Sequence, residues 1–167
     1  MVGRQAKILS NQQIEDLIVY TSTTRNPERN RVIVLLSIKA GLRAGEIAKL
    51  TWDMVLDPTG EVESVIELHD RAAKKNSGRL IPLNSELRTA LSAWRRLSEG
   101  VGAVIRSERG HCMTPVSIVN WFANAYRTIG VDRCSSYAGR RTFIPRAARV
   151  AHPRRSVVAR CSAVGWT

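Results

Sequence analysis

The chain has 167 residues, 44% of them hydrophobic. It is long enough to bury its own core as one domain, and no apolar run approaches a membrane span. Twenty-six Lys and Arg against fourteen Asp and Glu leave a net charge of +12, which favours a polyanionic partner, nucleic acid above all. The start carries no signal-peptide pattern, and Cys112, Cys134 and Cys161 are scattered without a C-x-x-C pair. A reducing cytoplasm is the expected home, with no disulfide framework. His69, His111 and His152 have no metal-ligand spacing, so no metal and no cofactor are expected.

In chain order, "SNQQ" (Ser10 to Gln13) is a capping-box pattern that starts a helix running to about Tyr20. Arg29 to Ala40 reads as a buried helix stopped by Gly41, and Ala44 to Leu50 as a short second one. "TWDMV", "DPTG" and "EVESVIEL" read as strand, turn, strand, and "RLIPL" after a polar connector as another strand. The sum is a three-stranded antiparallel sheet. Asn84 caps a helix with the stripe Leu87, Leu91, Trp94 and Leu97. Thr114-Pro115 opens the next, with Ile118, Phe122, Ala125 and Ile129 as its apolar face. Ser135 or Ser136 caps a last helix through about Val150, in which Pro145 should cause a kink or an early end. The fold class is therefore α+β, mainly α: helices around a small sheet. Residues 1–150 make the domain, and 151–167 match neither periodicity, forming an irregular tail.

Three basic sites carry chemistry. Arg43 follows a helix break on the same face as Ile47 and Leu50, where a buried stripe is expected. "AAKKNSGR", Ala72 to Arg79, is a Lys-rich turn between strands. "SSYAGRRTF" puts Arg140 and Arg141 in the first turns of a helix. Cleaving a phosphodiester without metal calls for such groups: guanidinium forks hold the non-bridging oxygens, and a lysine protonates the leaving oxygen. From Arg127 to Arg160, nine arginines face one acid, Asp132.

These boxes together resemble the catalytic domain of the tyrosine recombinase, or phage integrase, family. "GLRAGEIAKLTW" is similar to its first arginine box, G-L-R-x-x-E-[IL]-x-x-L-x-W. The resemblance implies that Arg43 is the first catalytic arginine and Glu46 its structural support. "AKKNSGRLIPL" resembles the family's hairpin with its catalytic lysine, which implies Lys74, or Lys75 if the register slips by one. "YAGRR" is similar to the H-x-x-R box, making Arg140 the second catalytic arginine. Tyr137 stands where the family has histidine. A phenol with a pKa of about 10 can hydrogen-bond a phosphate but shuttles protons poorly near neutrality. Lys75, Arg79 and Arg141 are the implied DNA-contacting residues.

The resemblance covers roughly residues 7–150 and lacks the family's N-terminal core-binding domain. It implies a double-stranded DNA partner, self-association or pairing with an intact recombinase, and no membrane. The family's nucleophile is a tyrosine beyond the second arginine, and no tyrosine follows Tyr137. Tyr20 and Tyr126 read as packing residues. The chain alone is therefore expected to be inactive in the family's DNA strand cleavage and rejoining. The alternative is a non-catalytic DNA-binding module or regulator of an intact recombinase. An RNA partner is disfavoured by the 5% aromatic content, which leaves little for base stacking.

The tail supplies one more expectation. Read one base later, codons for "VVARCSAVGWT" allow "SLRDVQLLAGH", with glycine forced at Trp166. That hidden run resembles the family's helix into its Gly-His motif, just before the nucleophile. A frameshift between about Val150 and Ser156 is expected. Sequencing the gene past its stop codon tests this: no T-x-x-Y-like segment in the shifted frame would refute it.

Overall fold

The computed structural model describes residues 7–151. The tail beyond Ala151, and with it most of the segment where the frameshift is expected, lies outside the described residues. Helix α1, Asn11–Ser22, starts at the expected capping box. The Ser10 hydroxyl accepts from the Gln13 N–H at 3.2 Å, and the Gln13 side chain accepts from the Ser10 N–H at 2.9 Å. These bonds satisfy donors that a helix start leaves open.

Helix α2, Pro27–Lys39, is the central element. Val32, Ile33, Val34, Leu35 and Leu36 are all fully buried, because α1, α4 and α6 pack around it. It ends where expected. Gly41 has φ +66°, and a Cβ there would lie 2.4 Å from Cδ1 of Phe143. Only glycine meets both demands. The short α3, Ala44–Lys49, then buries Ile47 and Ala48.

The expected three-stranded sheet has two strands. Strand β1, Val65–Leu68, pairs antiparallel with β2, Arg79–Pro82, in the register Ile66 to Ile81 and Leu68 to Arg79. The missing strand, "TWDMV", is instead a 3₁₀ turn at Trp52–Met54. Trp52 and Met54 are buried with the exposed Asp53 between them, so a single turn here shows the in–out alternation of a strand. An isolated bridge, Leu56 to Val62, is what remains of that pairing, while Thr51 bridges instead to Ala103. The Asp57 turn forms as expected, its carboxylate accepting from the Thr59 N–H at 2.8 Å.

Helix α4, Ser85–Leu97, is capped by Asn84, whose side chain accepts from the Leu87 N–H at 2.9 Å. Leu87 and Leu91 are buried, and Trp94 donates to the Val104 carbonyl at 2.8 Å. Leu97, expected on the buried stripe, is 64% exposed in the last turn of the helix. Helix α5, Pro115–Thr128, is capped by the Thr114 side chain and buries Ile118, Phe122 and Ala125. Helix α6, Tyr137–Ala151, runs through Pro145 without ending early. It crosses α2 closely, since a Cβ on Gly139 would sit 2.2 Å from the Ser37 hydroxyl. The Thr142 hydroxyl donates to the Ala138 carbonyl and accepts from the Leu9 N–H at 2.9 Å, tying the incoming chain to α6. The bend after α2, the β1–β2 loop and the start of α6 thus converge. Among the described residues, no helix is long and apolar enough to cross a membrane.

Candidate functional site

Arg43 is the residue that caps α3, in extended backbone, with its side chain 31% exposed. Glu46, one turn later, is 2% exposed and holds it from two sides. Its Oε2 accepts from the Arg43 N–H at 2.9 Å and its Oε1 from Arg43 Nη1 at 3.1 Å. Arg79, the first residue of β2, closes on the same carboxylate with both Nη atoms, at 3.1 and 3.0 Å. Burial pushes the Glu46 carboxyl up. The Arg79 bonds, the Arg43 N–H and the two guanidinium charges outweigh it, and the group stays below its ordinary value.

Arg140 reaches this cluster from the first turn of α6. Its Nη1 donates to the Gly41 carbonyl at 2.5 Å, the carbonyl left free by the chain reversal after α2. Burial and repulsion from Arg43 lower its pKa, Glu46 pulls it back, and Arg79 repels it further. Three guanidiniums therefore gather around one carboxylate, a surplus of positive charge in a partly dry setting. An anion is the natural fourth member.

Beside the cluster lies an open cavity of about 300 Å³. Arg43, Lys74 and Tyr137 line it, with Pro115 and Val119 of α5 as an apolar wall. The β1–β2 loop delivers Lys74. The His69 carbonyl accepts from the Ala72 and Ala73 N–H groups, and the Asp70 carboxylate closes the loop on the Gly78 N–H at 2.7 Å. Lys75 and Asn76 then reverse the chain at φ 61° and 49°. Lys74 lines the cavity, whereas Lys75, one residue on in that reversal, is not among the lining residues.

Arg79, expected to contact DNA, has its guanidinium committed to Glu46, so its place is behind the site rather than in it. Arg141 is exposed on α6 and is not among the residues lining the cavity. Sequence reasoning missed two polar lining residues, Lys49 and Ser136. Lys49 follows Glu46 by three residues on α3 and so shares its face, a spacing that could have found it. In the sequence Ser136 reads only as a helix cap. Among the described residues, no group of His, Cys, Asp or Glu could hold a metal ion.

No curated protein matches this sequence. Solved structures do match. The XerA recombinase superposes with a TM-score of 0.71 at 20% identity, covering 90% of this chain and 52% of its own. The Tn1549 transposon integrase in complex with circular intermediate DNA gives 0.70 at 18%, over 89% of this chain and 54% of its own. A lambda integrase dimer bound to a COC′ core site gives 0.68 at 14%, over 93% and 43%. At these identities the likeness is one of fold, and the chain spans about half the length of those structures. The phage integrase family model matches residues 7–159, nearly the whole chain, and the chain belongs to that family.

Proposed function

We propose that this chain binds duplex DNA and grips a phosphodiester in the Arg43–Lys74–Tyr137 cavity, as the catalytic domain of a tyrosine recombinase. The observation that carries the reading is the gathering of cations from three elements: Arg43 before α3 and Lys74 from the β1–β2 loop line one opening, and Arg140 of α6 stands close enough to Arg43 and Glu46 to feel both charges. Arg43 and Arg140 hold the non-bridging oxygens as forks. Lys74 stands ready as general acid for the leaving 5′ oxygen. Tyr137, 55% exposed at the mouth, donates a hydrogen bond to the phosphate. Glu46 and Arg79 are the buttress that keeps Arg43 in place. The lambda integrase dimer and the DNA complexes among the similar structures support DNA as the partner and self-association on it.

The chain as it stands binds without cutting. Tyr126 is buried, and burial pushes its phenol far up. Tyr20 packs on Trp121, ring centroids 6.4 Å apart. Neither lines the cavity, and Tyr137 occupies the family's histidine position. Incubation with a nicked suicide duplex tests this. The expected result is a retarded complex that denaturant dissolves completely. A covalent protein–DNA adduct surviving denaturation would refute it.

A further inference from the structure

We infer that Ser136 is an additional phosphate-binding residue, its hydroxyl donating to an oxygen of the anion held in the cavity. The inference rests on the phosphodiester reading above and names a contact that reading lacks. Ser136 is only 6% exposed, yet it lines the cavity with Arg43 and Lys74. Its neighbours' hydroxyls have internal work. Ser135 accepts from the Tyr137 N–H at 3.4 Å, and Thr142 serves the Ala138 carbonyl and the Leu9 N–H. Among the described residues, no hydrogen bond reaches the Ser136 hydroxyl.

A hydroxyl at a cavity wall that no protein group engages is left for solvent or a ligand to satisfy. Ser37 is a useful contrast. Its hydroxyl also lacks a partner, but it is fully buried and sealed where α6 crosses at Gly139, so no ligand can reach it. Ser136 instead faces an opening. It precedes the first residue of α6, a helix of 15 residues whose positive end favours an anion. The small side chain allows close approach, and a hydroxyl adds direction that the guanidinium charges cannot.

The test is duplex DNA binding by fluorescence anisotropy, with thermal melting run on every variant. Ser136→Ala is expected to weaken binding about tenfold, as for a hydrogen bond to a charged group, with unchanged melting. Ser136→Cys, nearly the same size but a weak donor, should lose a similar amount. If either variant melts like the wild type and binds within twofold of it, the inference is overturned. Arg43→Ala and Arg140→Ala run alongside separate the two failures. If they weaken binding and the Ser136 variants do not, only the Ser136 contact is wrong. If none of the four weakens binding, the phosphodiester reading falls with it.

Discussion

Glu46→Ala is expected to destabilise the fold by about 3 kcal/mol, the largest loss from any single change at the site. Removing one partner of a buried ion pair leaves the other charge uncompensated, which typically costs ~3–5 kcal/mol. Here two guanidiniums lose their common carboxylate, and Arg140 adds a third positive charge nearby. The lower end applies because Arg43 and Arg79 are 31% and 34% exposed and can turn toward water. A shift of roughly 10 °C in melting temperature follows for a domain of this size. Glu46→Gln should lose less, since its carbonyl still accepts. The same carboxylate links stability to pH. Its folded pKa lies below the ordinary 4.5, so its contribution is complete above that value and is lost as pH falls through the folded one. The wild type should weaken in that acid window more steeply than Glu46→Ala. An unchanged urea midpoint for Glu46→Ala would show that the carboxylate is not the bolt described.

Much of this architecture was legible because its signals are local. Ser10, Asn84 and Thr114 mark helix starts within three residues of the donors they satisfy, so the pattern can be read without the fold. Gly41 marked a helix end for a similar reason, since positive φ is written in the residue type. The third strand failed because "TWDMV" alternates buried Trp52, exposed Asp53 and buried Met54, and over so few residues a 3₁₀ turn gives the same pattern as a strand. Leu97 failed because a stripe says which face is apolar, not how far along the helix the partner surface extends.

The site divides in the same way. Arg43, Lys74, Arg140 and Tyr137 could be singled out through motifs, each within a short run of residues. The tie between Arg79 and Glu46 spans 33 positions and depends on where β2 lands beside α3. Nothing local announces it: the sequence shows only an arginine in a basic stretch. Ser136 was hidden differently. Two adjacent serines before a helix look interchangeable, and only the hydrogen-bond assignment separates the one that works as a turn from the one facing the cavity.

Arg43→Ala and Arg140→Ala are each expected to weaken duplex binding about 10- to 100-fold, as for loss of charged hydrogen bonds worth ~1.5–3 kcal/mol. The two side chains come from different elements, and Arg140 lies close enough to the cavity-lining Arg43 to repel it, so they should serve one phosphate. Once the first is gone, that phosphate is poorly held and the second has less to lose. The double variant should therefore fall short of the sum by about 1 kcal/mol. Lys75→Ala provides the contrast: a cation outside the cavity lining should lose only a screened, general attraction.

The central claim is that Arg43 and Arg140 hold a single phosphate of duplex DNA. The most direct measurement is duplex affinity over a salt series for the wild type, Arg43→Ala, Arg140→Ala and the double variant. The account predicts a steep linear fall of log K with log salt for the wild type, as several neutralised phosphates require, and a clearly non-additive double variant. A flat salt response, or losses that add within about 0.3 kcal/mol, would contradict it.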